Sequence, residues 1–413
     1  MSAFETLTLT RTREPASVRF TGASDSFRQL VEYGALFELM TFGFYRFWLT
    51  TDIRRFLWSN TEIDGDAVEY TGRAKELLLG FLVALAVLGP VFLAYFLIGL
   101  AFERYKAFAS VPLYGFFFMF GQFAVYRARR YRLTRTIWRG VRFWMTGSGW
   151  AYAWRSLLWL LLVLPTLGFA YPWRSAGLER YKLGHTFYGT LPGRFDATGW
   201  QLFKRVWWVW LLGLLPIIAV VGAGVAAFVA QRRGATGQSP IMIAVGLAII
   251  TGVMMCIALP FLHAVRKALE WRWWAEGIRF GDLAVACDLP GSALFGVYWG
   301  LIGMGLLLLL GFGVTAAGIR GLLVLFVGHG QSFGALLANR PVTGIVAYGI
   351  WYLVMILSFT VLARIFTLHH VWRHVASSCR LLNPEAAEDV GSAGEAASAI
   401  GEGLADGLDF AGF

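Results

Sequence analysis

Charge is what this chain has least of. Only 15% of its 413 residues are Asp, Glu, Lys or Arg, against 57% hydrophobic ones. Soluble globular domains carry roughly 25% charged and about 45–50% apolar residues. So few charges cannot clothe a water-soluble particle of this size. A soluble enzyme is excluded, and so is disorder over most of the length. Cysteine is scarce too: Cys256, Cys287 and Cys379 are scattered without metal-type spacing, allow at most one disulfide and need none. Residues 1–27 hold Arg11, Arg13, Glu14, Arg19 and Asp25 without an apolar run. No cleavable leader is therefore expected, and the first internal hydrophobic segment directs insertion. Catalytic signatures are missing as well. There is no phosphate-cradling Gly-Lys-Ser/Thr loop, no His-Glu-x-x-His and no Gly-x-Ser-x-Gly, and Gly147-Ser148-Gly149 has no base beside it.

What is abundant is apolar and aromatic: 18 Trp, 15 Tyr, 34 Phe and a mean hydropathy of +0.60. Uncharged apolar runs cover 77–102, 107–126, 156–173, 206–231, 240–262, 289–319 and 341–363. Each approaches or exceeds the ~20 residues that an α-helix needs to cross about 30 Å of hydrocarbon. Two weaker segments join them, 28–48 and 321–338. The chain reads as a polytopic α-helical integral membrane protein.

The basic residues decide which runs cross. Arg and Lys number four in 49–76, eight in 127–155, six in 173–205 and four in 264–293, but two each in 103–106, 232–239 and 319–340. If every run crossed, 127–155 and 173–205 would lie on opposite faces, against the bias that holds short basic loops in the cytoplasm. Keeping 156–173 and 28–48 as re-entrant or interfacial segments resolves the conflict. Three transmembrane hairpins then remain, 77–102/107–126, 206–231/240–263 and 289–319/341–363: six crossings with both termini cytoplasmic, seven or eight being the alternative. The net charge is +11, and with the seven carboxylates after Arg380 set aside, residues 1–383 carry +18. Beside apolar spans such a basic body suits anionic lipid headgroups better than nucleic acid, which is not expected as a partner.

A repeat is visible by self-comparison. Thr41-Phe42-Gly43-Phe44 and Trp48 recur as Thr166-Leu167-Gly168-Phe169 and Trp173; Arg55-Phe56 recurs as Arg180-Tyr181, and Thr61 as Thr186, all offset by 125 residues. Arg130-Tyr131, Thr136 and Gly140 echo part of the pattern, as do Val18-Arg19-Phe20, Val141-Arg142-Phe143 and Ile278-Arg279-Phe280. The organisation expected is a polar segment 1–17, a first repeat 18–126, a basic linker with the second repeat 127–263, a degenerate third 264–383, and an acidic disordered tail 384–413. Asp64-Gly65, between alternating residues, signals a tight turn, so small cytoplasmic β-hairpins are expected at 61–71 and 186–195.

The phrase Thr166-Leu167-Gly168-Phe169 with Pro172-Trp173, then Arg180-Tyr181, Thr186 and Gly189, and its counterpart in 41–65 with Asn60-Thr61, resembles the YjgN-like family of bacterial inner-membrane proteins. The resemblance covers roughly residues 18–380; Arg46-Phe47 replaces Tyr171-Pro172 in the first copy, and the third barely matches. It implies a fold and a location. The family is of uncharacterised function, so no activity comes with it.

Candidate site residues follow from position. Arg55, Arg130 and Arg180, each followed by an aromatic, can fork onto lipid phosphate, with Trp48 and Trp173 anchoring nearby; a structural cap explains them equally well. Glu32 and Glu38, in apolar context, mark a possible solute or ion pathway, although an interfacial segment would simply turn them to water. Glu179-Arg180 reads as a solvated helix face. His370 and His374 stand at i, i+4, a spacing two metal ligands can use, but lack an assured third. No metal and no cofactor is expected. The favoured reading is a non-catalytic membrane protein whose basic aromatic cytoplasmic surface contacts anionic lipid or a protein partner. A small-solute transporter or channel among the repeated hairpins is the alternative, and an interfacial lipid enzyme comes last.

Overall fold

A computed structural model describes residues 14–101, 106–233, 239–327 and 341–394. Its organising element is a sheet. Strands β1 (Ala16–Phe20), β2 (Thr61–Ile63), β3 (Asp66–Ala67), β4 (Glu69–Tyr70), β5 (Thr136–Trp138), β6 (Val141–Met145), β7 (Thr186–Tyr188), β8 (Leu191–Phe195), β9 (Ile278–Phe280), β10 (Leu283–Cys287) and β11 (Cys379–Leu382) pair in the order β3-β2-β1-β11-β10-β9-β8-β7-β6-β5-β4. Every pairing is antiparallel. The sheet's two ends, β3 and β4, are consecutive in the chain with only Val68 between them. The sheet therefore closes on itself as a near-barrel, which protects the edges that strands this short would otherwise expose.

Between paired strands run helical hairpins, all leaving one rim. The pair α1 (Ser24–Met40) and α2 (Arg46–Ser59) links β1 to β2; α3 (Ala74–Ala101) and α4 (Lys106–Thr134) link β4 to β5. Next, α5 (Gly149–Val163) and α6 (Tyr171–Leu183) link β6 to β7, while α7 (Gly199–Arg232) and α8 (Ser239–Gly277) link β8 to β9. Last, α9 (Phe295–Val327) and α10 (Pro341–Ala363), continued by a π-helix (Arg364–His370) and α11 (Val371–Ser377), link β10 to β11. The opposite rim carries the tight turns. Asp64-Gly65 and Arg139-Gly140 each place two residues at positive φ, and Gly189 and Gly281 hold single ones, the backbone that two-residue hairpin loops demand.

Side chains fill the near-barrel. Val68, Trp138, Tyr188 and Leu283 are buried together with Ala387, which arrives from the short 3-10 helix Pro384–Ala387 beyond β11. Tyr188 Oη donates to Trp138 O at 3.0 Å. The chain then crosses the turn rim: Val390 packs into this cluster, and Gly391 O lies so close to Gly189 that a Cβ there would collide with it.

Several expectations change. The protein is not all-α with separate small β-hairpins; those hairpins are arcs of one eleven-stranded sheet. The polar segment 1–17 gives up Ala16 and Ser17 to β1, where they pair with Leu381 and Arg380. The tail assigned to disorder from 384 packs against the near-barrel as far as Gly394; residues 395–413 lie outside the described residues. Most of the weaker segment 321–338 also lies outside them.

Among the described residues, five helices are long and apolar enough to cross a membrane: Ala74–Ile98, Gly199–Arg232, Met242–Gly277, Phe295–Gly318 and Gly349–Ser377. The most apolar windows of Gly199–Arg232 and Met242–Gly277 are 0% buried within the molecule. Bare Leu, Ile and Val over such lengths are stable only where the solvent is lipid. Pro90, Pro216 and Pro260 sit inside these helices, a placement that membrane helices tolerate.

Candidate functional site

The two short hairpins explain the Thr-Xaa-Gly-Phe phrase. In the first, Thr41 Oγ1 donates to Phe37 O at 2.7 Å and accepts from Tyr45 N at 2.9 Å, so one hydroxyl caps the outgoing helix and starts the returning one. Thr166 repeats this with Leu162 O at 2.8 Å and Ala170 N at 3.2 Å. The backbone N–H groups of Phe42, Gly43 and Phe44 bond within the turn, as do those of Leu167, Gly168 and Phe169. Gly43 and Gly168 hold φ near +89° and +88°, a region open to glycine at little cost. Phe42 and Leu167 hold φ of +51° and +49°, strained for bulky residues, and stand 91% and 72% exposed. A turn with its polar groups satisfied internally and its apolar side chains aimed outward suits hydrocarbon.

The arginines sit at the other end of the helices, next to the near-barrel. Arg55, Arg130 and Arg180 each precede the first residue of a strand by six positions (Thr61, Thr136, Thr186), and Arg272 and Arg373 precede β9 and β11 by the same six. Arg55 is exposed and 3.4 Å from Asp52. Arg180 is exposed. Arg130 is half-buried, and its Nε has no hydrogen-bond partner. Thr61, Thr136 and Thr186 return their hydroxyls to the carbonyls of Leu57, Arg132 and Lys182. Tryptophans lie in the same layer or a few turns beyond. Trp48 stacks on Tyr45 at 6.2 Å, Trp173 packs on Phe203 at 5.3 Å, and Trp150, Trp154, Trp200 and Trp207 are exposed. Amphipathic rings at span ends favour the headgroup layer.

The carboxylates are engaged elsewhere. Glu38, on the last turn of α1, accepts from Arg364 Nη1 at 2.9 Å, the pair being only 15% and 20% exposed. Glu32 lies on the outside, 3.7 Å from Arg28. Neither points into a polar cavity: the groove beside Arg364 is lined by Ile356, Phe359, Thr360, Ala363, Thr367 and Leu368. Glu179 is not on a solvated face. It receives Arg129 Nη1 at 3.3 Å, Trp274 Nε1 at 3.1 Å and Lys182, joining α6 to α4 and α8. Burial raises its pKa, but Lys182 and Arg129 outweigh that and hold it below the ordinary value. Glu76 accepts from Tyr131 Oη at 2.8 Å and pairs with Arg135 at 2.9 Å. Glu270 accepts from Tyr171 Oη at 2.5 Å, and Glu276 from Arg205 at 2.7 Å. Apart from Lys182, three residues from Glu179, these partners lie far along the chain, so the sequence does not show the ties.

His370 Nδ1 lies 3.1 Å from Ile365 O, within its own helix, and His374 is exposed. His369 is the buried one, against Phe20 and Phe27, with Nε2 at 3.3 Å from Gly22 O. Among the described residues no three His, Cys, Asp or Glu side chains gather as a metal site.

Apolar helices on a closed antiparallel sheet define a polytopic integral membrane protein. Neither a curated protein nor a solved structure matches the chain. The chain belongs to the family described as bacterial protein of unknown function (DUF898), which matches residues 15–407 and agrees with the YjgN-like resemblance.

Proposed function

We propose that this is a non-catalytic protein of the bacterial inner membrane whose sheet lies on the cytoplasmic face and whose arginine girdle holds anionic lipid headgroups. The observation that carries the reading is the recurrence of an arginine at the sheet-proximal end of the helix feeding each of β2, β5, β7, β9 and β11, with Arg55, Arg180 and Arg373 exposed. A guanidinium fork beside an amphipathic ring at that depth matches a phosphodiester. The crossings follow from length. Helices α1, α2, α5 and α6 have 17, 14, 15 and 13 residues, at most about 25 Å of helix, too short for about 30 Å of hydrocarbon. They dip and return. The three long hairpins cross, making six passages: the five apolar helices above and the 29-residue α4, which returns from α3 to the sheet. The basic sheet side then faces the cytoplasm with both chain ends. The five hairpins are copies of one strand–helix–helix–strand unit, two of them shortened.

A solute pathway gains no support from the geometry. Among the described residues the near-barrel is filled with apolar side chains, and Glu38 is tied to Arg364. The test is native mass spectrometry of the detergent-solubilised protein offered phosphatidylglycerol or phosphatidylcholine. Retention of the anionic lipid, reduced at least several-fold by Arg55→Gln with Arg180→Gln, is expected. Equal retention of both lipids, or an unchanged double variant, would overturn the girdle.

A further inference from the structure

The chain's cysteines look scattered, 92 residues separating two of them, yet the sheet brings those two face to face. Cys287 ends β10 and Cys379 begins β11, and they are direct partners in the antiparallel register. Cys379 Sγ donates to Cys287 Sγ at 3.3 Å. Both thiols are free. The geometry points to a redox-active dithiol that closes to a cross-strand disulfide, a modification site at the sheet rim from which the last helical hairpin leaves.

Three features support it. Residues directly opposite in antiparallel strands stand about 4.5–5.5 Å apart at Cα, inside the 4.4–6.8 Å that a disulfide spans, so closure needs side-chain rotation and no backbone shift. The two sulfurs differ in setting. Cys287 is 2% exposed, in a cluster with Ala264, Ala268, Leu289 and Val371, while Cys379 is half-exposed at its edge. They also differ in acidity. The hydrogen bond from Cys379, against the effect of burial and helped by the Leu289 N–H, holds Cys287 down to about 7, whereas Cys379 is pushed up. The sheltered sulfur is thus the more readily ionised, and the accessible one meets the oxidant.

A small disulfide such as oxidised glutathione supplies the electrons' destination. Cys379 passes its hydrogen-bonded proton to the Cys287 thiolate as its sulfur attacks one of the disulfide's sulfurs, forming a mixed disulfide and expelling the first glutathione thiolate, which takes that proton on from Cys287. The Cys287 thiolate then attacks Cys379 Sγ, forming the Cys287–Cys379 bond and expelling the second. The protein loses two electrons, and the leaving thiolates take up the two protons. Because β11 also pairs with β1, the bond clamps the strand that joins the two ends of the chain.

The experiment equilibrates the full chain, carrying Cys256→Ser, in reduced and oxidised glutathione mixtures. Remaining thiols are alkylated after acid quenching and denaturation, and intact mass is read. The expected result is joint disappearance of both thiols over one two-electron titration, with a mass lower by two hydrogens and a Cys287–Cys379 peptide after digestion. Cys287→Ser and Cys379→Ser each abolish that species, and the Cys379 thiol that Cys287→Ser leaves takes up one glutathione. Both thiols alkylated even in the most oxidising mixture would overturn the site, as would a glutathione adduct that never resolves in the two-thiol protein.

Discussion

Glu179 shows how one side chain can read as surface in the sequence and work as a hub in the fold. Next to Arg180 it looks like half of a solvated face, but α6 turns Arg180 outward and Glu179 inward, onto Arg129, Lys182 and Trp274. Its pKa is depressed, so the sign of its linkage is fixed. The stability it supplies is complete above the ordinary carboxylate value of 4.5 and drains as pH falls through the lower folded value. Unfolding in detergent followed between pH 7 and pH 3 should show Glu179→Gln less stable than the parent at neutral pH and flatter on acidification; parallel curves would refute the linkage. Glu38 and Arg364 are the second case. Removing one member of a largely buried pair costs roughly 3–5 kcal/mol, while replacing both with apolar groups is often neutral. At 15% and 20% exposure the lower end applies. Thermal unfolding should fall steeply for Glu38→Gln and recover in Glu38→Gln with Arg364→Met. No recovery would mean that the pair does more than neutralise itself.

At the scale of elements, the long helices were legible because a run of more than twenty apolar residues admits one reading, and the short hairpins because their Thr-Xaa-Gly-Phe turn interrupts such a run at a fixed place. The 125-residue register was visible for an accidental reason. It spans one long hairpin and one short one, and only the first and third of the five units have the same length. The intervals between the five equivalent arginines, from Arg55 to Arg373, are otherwise all different, so a search at fixed period sees two copies and a residue of echoes. Of the sheet, only the hairpins at 61–71 and 186–195 were legible, and their joining into one closed sheet was not. Strands of two to five residues leave almost no alternation to detect, and what makes them strands is pairing with partners across a helical hairpin. For the turn itself, the double role of Thr41 predicts that Thr41→Val costs about 1 kcal/mol, the usual worth of a helix cap, with Thr166→Val alike. If the turns lie in hydrocarbon, spin labels at 42 and 167 in vesicles will collide with oxygen and resist a polar nickel reagent. The reverse preference would place both turns in water and end the re-entrant reading.

For the molecule as a whole, closure of the sheet constrains more than any single contact. A bilayer cannot pass between hydrogen-bonded strands, so every segment that contributes one lies on the same side, whatever the helices do. Residues near 140 lie in β5 and β6, residues near 195 in β8, and β6 reaches β8 through β7. A membrane-impermeant label should therefore find both from the same face, and opposite accessibility would dismantle the fold. The C-terminal segment tests closure from the other rim. Ala387 contributes to the buried cluster formed with Val68, Trp138 of β5, Tyr188 of β7 and Leu283 of β10, and Val390 and Gly391 lie against the Gly189 turn, which has no room for a Cβ. Truncation after Gly394 leaves those contacts in place and should leave the unfolding temperature in detergent within error of the full chain. Truncation after Asn383 uncovers Trp138, Tyr188 and Leu283 and should lower it markedly, with a rise in the binding of an apolar dye. Ala387→Asp in the full chain should reproduce much of that loss, since it buries a carboxylate in an apolar cluster. Equal stability of the two truncations would show that the near-barrel holds its shape without the segment across its mouth.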